Sequence, residues 1–370
     1  MKKFFIFFSL LPSLAYAEAP KSFPSITGDV LFQTQADRVI SSEKDGVRAN
    51  NAFIYIEPNI SLNFNRNWSA KTQWRLQPNN VLTTRDSSYP ERYRTFLQSD
   101  RSPLNIGQEA LIVEELKAHF ENEDMRFVAG KFDPTFGTAW RKSKRIGVFA
   151  SQFNEDYNLR EKLGAGITAL LEGSQITFNT FMNDTTGLSN STINKRGAAS
   201  NNRGIAGNGG AMSSYSLSME GKNFIGIENW FYNFGYRNLA VGKVEGRSRE
   251  VAHVVGSEYL YKITRDTSLI PLMEFVNIKD FGGETGRDAR YTTLALIAKY
   301  SGWIASASVV TREIKQRQRS GNDVSDHQIQ FSIGYKFTNN LTLDLSRANI
   351  KENGSKGSLI GTTLSYLYKF

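Results

Sequence analysis

Apolar and polar side chains alternate at every second position along much of this chain, and this alternation limits its fold more than any other feature. In WSAKTQWRLQP (68–78), tryptophan, alanine, threonine and leucine fall on one face of an extended chain, and lysine, glutamine and arginine fall on the other. FTNNLTLDLS (337–346) repeats the pattern. A period of two indicates β-strands rather than helices. One such segment fits a soluble sandwich equally well, so the number and spacing of the segments must decide between sandwich and barrel.

Sixteen segments of the chain are predicted to be β-strands. The predicted strands are 26–36, 51–64, 68–78, 108–121, 125–133, 158–171, 174–183, 212–221, 224–237, 250–264, 268–279, 290–300, 303–314, 327–337, 341–349 and 359–370. Connections of two to four residues, often flanked by aromatic residues, alternate with longer polar segments, such as 79–107, 133–158, 184–211 and 315–326. Short turns at one end and long loops at the other are typical of a transmembrane barrel. We therefore predict an all-β fold, a 16-stranded antiparallel up-and-down β-barrel with short periplasmic turns and long extracellular loops.

The N-terminus has the pattern of an export signal. Lys2 and Lys3 precede the apolar run FFIFFSLL, and Ala15 and Ala17 form a small-residue cleavage site. We predict a signal peptide over 1–17 and one barrel domain over 18–370. No other window approaches the roughly 20 apolar residues of a helical membrane span, so a chain that stays in a membrane must do so as a closed barrel.

The net charge is +9, and the chain contains no cysteine. A basic excess can attract nucleic acid, an acidic membrane surface or anionic solutes. Because export removes the chain from nucleic acid, we expect no nucleic-acid partner.

Catalytic and metal-binding patterns are weak. None of His119, His253 and His327 is followed at i+2 by a serine, the spacing that would pair them on one face of one strand; a serine on a neighbouring strand stays open. No His or Cys cluster has metal-ligand spacing. We predict no enzyme activity, no metal site and no cofactor.

Basic residues on the inward face are the first candidate selectivity residues. Alternation places Lys71, Arg75, Arg126, Arg160 and Lys162 toward the lumen. The same rule turns Arg237, Arg312, Glu57, Glu115 and Glu274 inward, so we expect a wet wall of balancing charges. Lys131, beside Gly130, could face either side of a local bulge.

The segment 133–158 carries a denser basic cluster. Its members are Arg141, Lys142, Lys144 and Arg145. Such a run is commonly a solvated surface or a contact for acidic lipopolysaccharide. Phe136, Trp140, Ile146, Val148, Phe149 and Phe153 nevertheless make this segment strongly apolar, and large apolar groups are rarely left together in water. We expect the segment to pack on the inner barrel wall and to present its cations to the lumen.

The final segment, TTLSYLYKF (362–370), is the predicted closing strand. Tyr366, Tyr368 and Phe370 alternate toward lipid, and this strand must pair with the first to leave no open edge.

The chain resembles the bacterial outer-membrane porins in four features: the export signal, the sixteen strands, the long third loop (133–158) and the terminal Phe370. GKFDPTFG (130–137) is similar, more locally, to the phosphate-selective porin O and P group. The resemblance implies location in the outer membrane and contact with its lipids and lipopolysaccharide. It also implies that the barrel assembly machinery reads Tyr366, Tyr368 and Phe370 and that 133–158 forms the constriction. By the same analogy, 79–107 could latch onto a neighbouring subunit of a homotrimer, with monomer and trimer both left open.

The predicted function is a passive, water-filled diffusion channel for small hydrophilic solutes, with mild anion preference. The alternative is a ligand-specific channel or receptor for an anionic nutrient, such as phosphate or an iron chelate (siderophore). A barrel-based enzyme or adhesin is a third reading.

Overall fold

The fold is described by a computed structural model. It describes residues 22–44, 47, 50–78, 109–139, 147–149, 153–190, 192–193, 203–316, 323–337 and 340–370. Within those ranges, no helix is long and apolar enough to cross a bilayer.

The described residues form one sheet of sixteen antiparallel strands, joined in chain order. The strands are β1 (Ser25–Ser42), β2 (Asn50–Asn63), β3 (Trp68–Pro78), β4 (Glu109–Glu121), β5 (Met125–Phe132), β6 (Lys162–Leu171), β7 (Ser174–Asn183), β8 (Ser214–Gly221), β9 (Trp230–Leu239), β10 (Glu250–Tyr259, continued at Tyr261–Lys262), β11 (Thr267–Lys279), β12 (Arg287–Tyr300), β13 (Trp303–Gln316), β14 (Val324–Lys336), β15 (Leu341–Glu352) and β16 (Ser355–Lys369).

The sheet closes on itself because β1 pairs with both β2 and β16. The seam runs from Asp29 opposite Lys369 to Ser42 opposite Gly357. Beyond the last strand residue, Gly28 and Phe370 exchange two backbone hydrogen bonds, of 2.9 and 3.0 Å between nitrogen and oxygen. The predicted 16-stranded barrel, with the last strand closing it, is confirmed.

The outer face of the barrel is apolar, as alternation requires. Its exposed side chains include Phe32, Ile60, Leu116, Ile167, Phe178, Leu217, Phe275, Leu294, Phe331 and Leu345. Aromatic residues gather where the short turns lie: Trp68 contacts Phe120 with ring centroids 5.0 Å apart, and Trp303 contacts Tyr335 at 4.8 Å. An apolar belt bordered by aromatic residues is the surface that a bilayer covers.

Several strand boundaries differ from those that the alternation predicts, and three of the differences change the connections between strands. The segment predicted as a strand from 158 begins at Lys162, which leaves Arg160 in the preceding loop. The segment predicted from 224 begins at Trp230, because a 3₁₀ turn occupies Phe224–Gly226. The connection between β15 and β16 is a tight hairpin at Asn353 and Gly354, both with positive φ, rather than a long loop.

Candidate pore and its lining

The connection between β5 and β6 covers residues 133–161, and its described parts, 133–139, 147–149 and 153–161, lie inside the barrel. Its described residues contact inward-facing side chains of β9 and of β11 to β15. β5 and β14 are nine strands apart in a sheet of sixteen, so these contacts lie on the far wall. Phe136, Phe153, Tyr157 and Leu159 are all buried there, against residues such as Val254, Val276 and Tyr291.

Glu274, on β11, holds one part of this loop. Its carboxylate is almost fully buried and accepts hydrogen bonds from the Thr138 N–H (2.5 Å), the Thr138 hydroxyl (3.1 Å) and the Ala139 N–H (3.0 Å). The Tyr157 hydroxyl donates a fourth, at 2.7 Å. Charge-assisted hydrogen bonds of this kind are about twice as strong as neutral ones.

Two buried arginines on the barrel wall, Arg237 on β9 and Arg312 on β13, contact the same loop. The Arg237 guanidinium lies 4.5 Å from the centre of the Phe136 ring and pairs with Glu250 at 2.6 Å. Arg312 lies 4.4 Å from the Phe153 ring and pairs with Asp326 at 2.5 Å and with Asp156 at 3.0 Å. These cations are therefore neutralised structural groups. The expectation that they line a wet wall is wrong, because the loop covers them.

The loop also forms hydrogen bonds with β14 and β15. The Phe149 N–H donates to Gln330 at 2.8 Å, Gln328 donates to the Phe149 carbonyl at 2.9 Å, and the Val148 N–H donates to the Ser346 hydroxyl at 3.0 Å. The Phe149 ring packs on Ala348, Ile350 and Leu359. Of the apolar residues that predict inward packing, Trp140 and Ile146 lie outside the described residues.

The opposite side of the lumen, on β2 to β5, is charged. Its register shifts between Gln73 and Trp74, which leaves Glu114 as an additional residue on β4. At such a bulge two successive side chains can share one face, so Glu114 joins Glu115 on the inner wall. Alternation alone places Glu115 inward and misses Glu114.

Glu114 links two arginines of this wall. Its carboxylate forms salt bridges with the guanidinium groups of Arg75, at 3.0 Å, and Arg160, at 2.6 Å. Arg75 also pairs with Glu57 at 3.0 Å, and Arg160 lies 3.6 Å from Glu155. Burial lowers the pKa of Arg160, but the surrounding carboxylates, Glu114 foremost, together raise it above its usual value, so the guanidinium stays charged. Two of the predicted pore residues, Arg75 and Arg160, thus meet on one acidic residue.

Closer to the short turns on the same wall, Lys71 lies directly opposite Lys117 in the β3–β4 register. Lys117 pairs with Glu115 at 2.5 Å, and Arg126 pairs with Glu121 at 2.8 Å. Two further predicted residues, Lys71 and Arg126, therefore belong to this charged wall. Lys117 is a cation that the sequence argument did not name.

The neighbouring strand also brings a serine to a histidine. Ser69 Oγ is 3.5 Å from His119 Nδ1, and His119 Nε2 is 3.3 Å from Glu121 and 3.4 Å from Lys71 Nζ. Because the serine contact is at the limit of a hydrogen bond and Nε2 also contacts a lysine, we interpret the group as part of the charged wall. In the described part of the chain, no group of three His, Cys, Asp or Glu residues could hold a metal ion.

The described charges of this wall nearly balance. The cations are Lys71, Arg75, Lys117, Arg126 and Arg160, and the carboxylates are Glu57, Glu114, Glu115, Glu121, Asp133 and Glu155. Burial, followed by the nearby Glu115 and Glu114, raises the pKa of Asp133 to about 7, against the opposing effect of Arg160. The wall therefore favours neither sign of ion strongly.

The remaining candidate residues lie elsewhere. Lys162 Nζ donates to the side chain of Asn183 on β7 at 2.6 Å. Lys131 is fully buried and binds Glu161 at 2.9 Å and Asp184 at 3.0 Å, so it fastens the loop ends together. Tyr366, Tyr368 and Phe370 are exposed on the outer face. Arg141, Lys142, Lys144, Arg145 and the segment 79–107 lie outside the described residues.

Comparison with solved structures places the fold among bacterial outer-membrane channels. OmpF of Salmonella typhi, solved with daunomycin, superposes with a TM-score of 0.59 and 11% identity, covering 93% of this chain and 97% of that one. The outer membrane channel DcaP of Acinetobacter baumannii gives 0.55 and 9%, covering 93% and 96%. OpdK of Pseudomonas aeruginosa gives 0.52 and 9%, covering 94% and 99%. No protein-family model and no curated protein matches the sequence.

Proposed function

We propose that this protein is a bacterial outer-membrane porin, a passive water-filled channel for small hydrophilic solutes. The observation that carries the proposal is the loop of residues 133–161, which crosses a 16-stranded barrel and packs on its far wall. A barrel of this size leaves an aqueous lumen, and a loop packed inside it narrows that lumen. The fold shared with OmpF and DcaP supports the same reading. Transport down a gradient requires no cofactor and no catalysis.

The pore lies between the loop and the charged wall of β2 to β5. Because the described charges of that wall nearly balance, anion preference depends on Arg141, Lys142, Lys144 and Arg145. All four belong to the loop, in the stretch between Ala139 and Gly147, and those two flanking residues lie near inner-wall side chains. Four cations at a constriction lower the barrier for anions and raise it for cations. We therefore propose mild anion selectivity.

The test is the reversal potential of the purified barrel in a planar bilayer under a salt gradient. We expect stepwise conductance and a mild anion preference. The quadruple variant Arg141→Gln/Lys142→Gln/Lys144→Gln/Arg145→Gln should move the reversal potential toward cations. The single variant Lys71→Gln, on the wall, should move it much less. An absence of conductance steps would overturn the channel proposal, and an unmoved reversal potential in the quadruple variant would overturn the role of the loop cations.

A ligand-specific channel for an anionic nutrient is the second candidate. The observation in its favour is the face-to-face pair Lys71 and Lys117, because two adjacent cations could bind a phosphate or a carboxylate. In the same bilayer, phosphate or a siderophore should then block chloride current at low concentration. Block that requires bulk salt concentrations would favour the general channel.

Assembly and surroundings follow from the same proposal. Residues 1–17 would direct export, and Tyr366, Tyr368 and Phe370 would be recognised during barrel assembly. The mature porin would contact lipopolysaccharide and other outer-membrane lipids and would form a homotrimer.

A further inference from the structure

Basic side chains gather on the outer face of the barrel, at the end opposite the short turns. The outer basic patch consists of Arg38 on β1, His327 on β14, Arg347 and Lys351 on β15, and Lys356 on β16. His327, Lys351 and Lys356 form one row across three adjacent strands. Arg347 and Arg38 flank Ile360 in a second row. All but Lys351, which is half-buried, are exposed.

Acidic residues of these strands lie on the other side of the wall. Asp326 and Glu352 flank the patch in sequence, but both are buried and pair with Arg312, at 2.5 and 3.7 Å. The carboxylate of Glu43 lies at the edge of the patch, where it accepts the backbone N–H of Lys356 at 2.9 Å. Within β1 and β14 to β16, alternation has thus placed the acids inside and the bases outside; on the neighbouring β13, the outward carboxylate of Glu313 lies opposite Arg290. The patch faces the membrane, so it cannot act on solutes in the pore.

The height of the patch matches the edge of a bilayer. Ile360, which is opposite both arginines, is ten residues from Phe370 at the aromatic end. At about 3.3 Å per residue and a strand tilt near 40°, Arg38 and Arg347 lie about 25 Å from that end along the membrane normal. An apolar belt of a transmembrane barrel has about this height. The cations therefore lie where the headgroups of the outer leaflet begin.

The two ends of these strands differ in chemistry. At the short-turn end, aromatic residues are prominent on the outer face: Phe337, Tyr366, Tyr368 and Phe370 are exposed, and Tyr335 is half-buried. Aromatic residues suit any interface, whereas a cluster of cations selects phosphate. Phe331 lies beside Arg347 in the register, and Ile333 and Leu345 form the next outward pair toward the short turns, so these three side chains offer an apolar surface for acyl chains.

From these observations we propose that the outer basic patch binds the phosphate groups of an anionic glycolipid in the outer leaflet, while the acyl chains of that lipid lie on the belt beneath. The site rests on the proposed outer-membrane orientation, with the long loops outward. Arg38 and Arg347 would contact phosphate at the hydrocarbon edge, and Lys351 and Lys356 would contact it one row further out.

The experiment is a binding titration of the folded barrel in a neutral detergent, read by native mass spectrometry. The probes are bisphosphorylated lipid A and the same lipid A with both phosphates removed. We expect saturable binding of the phosphorylated lipid, at least tenfold weaker binding without phosphates, and weakening at high salt, because exposed charges are screened. The variant Arg38→Gln/Arg347→Gln/Lys351→Gln/Lys356→Gln should lose at least tenfold in affinity. Arg66→Gln/Arg265→Gln, in the exposed turns of the other end, should bind like the wild type.

Equal binding of the two lipids, or unchanged affinity in the quadruple variant, would overturn the proposal. If that variant does not fold, as judged by heat-dependent gel migration, the comparison of the two lipids on the wild-type barrel decides. Conductance in phosphatidylcholine bilayers is a separate measurement, and it should be normal in the quadruple variant. Lost lipid binding with normal conductance therefore supports this site, whereas failure of the channel proposal would appear as absent conductance in the wild type.

Discussion

Removing the Glu274 carboxylate should detach the inner loop from the far wall. In Glu274→Ala, four donors lose their acceptor: the N–H groups of Thr138 and Ala139, the hydroxyl of Tyr157 and the hydroxyl of the half-buried Thr138, of which the first three are counted here. A stranded buried donor costs about 1–3 kcal/mol. Because water entering the site would satisfy part of this loss, we expect local opening to become easier by about 3–6 kcal/mol.

Amide hydrogen exchange measures this opening directly. At about 1.4 kcal/mol per tenfold, protection of the Thr138 and Ala139 amides should fall by roughly 10²- to 10⁴-fold. Tyr157→Phe removes a single donor and should lower it about tenfold at most. The matched control is Glu313→Ala, an exposed carboxylate on the outer face of β13. A loss under tenfold in Glu274→Ala, or an equal loss across all strand amides, would refute the reasoning.

Two further predictions concern the charges that the pore presents. Glu114→Gln removes the shared partner of Arg75 and Arg160, so the reversal potential should move toward anions, whereas Glu313→Gln, with the same charge change outside the lumen, should leave it unmoved. The pKa of Asp133 is raised to about 7, so this carboxyl gains a proton as pH falls from 8 to 5. Anion preference should therefore rise over that interval, with a step in the reversal potential near pH 7. Asp133→Asn should abolish that step. The folded form binds this proton more tightly than the unfolded chain does. The contribution of Asp133 to the free energy of unfolding should therefore increase as pH falls from about 7 toward 4. If the free energy of unfolding of the wild type, measured relative to Asp133→Asn, instead rises with pH over this interval, the reasoning is contradicted.

Alternation predicted the barrel and its closing seam because both depend on a period of two over long segments. It located strand ends less well, since ends depend on turn chemistry. Asn353 and Gly354 form a hairpin of the kind that an Asn-Gly pair favours, and that local signal was present in the sequence. The 3₁₀ turn at Phe224–Gly226 had no comparable signal, and it contains Ile225 at a positive φ that a β-branched residue rarely adopts.

The candidate site was predictable only where it obeys the same period. Lys71, Arg75 and Arg126 follow it and lie on one wall. Glu114 does not, because a bulge inserts it, and the adjacent pair Glu114 and Glu115 gives no indication of which residue would be added. The contacts of Glu274 with Thr138 join residues 136 positions apart, and no local pattern reports such a distance.

An inward position on a barrel wall can be either wet or buried, and the inner loop decides which. Arg237 and Arg312 alternate inward as regularly as Arg75 does, yet they lie under the loop, and carboxylates and aromatic rings occupy their charged groups. Arg75 lies on the wall that the loop contacts only near its ends, through charged residues such as Arg160, and its side chain retains 15% exposure. The loop thus divides one periodic inner face into a structural half and the half that we propose to be conducting. Charge changes on β2 to β5 should therefore alter selectivity, whereas the same changes on β9 to β13 should first alter how firmly the loop is held.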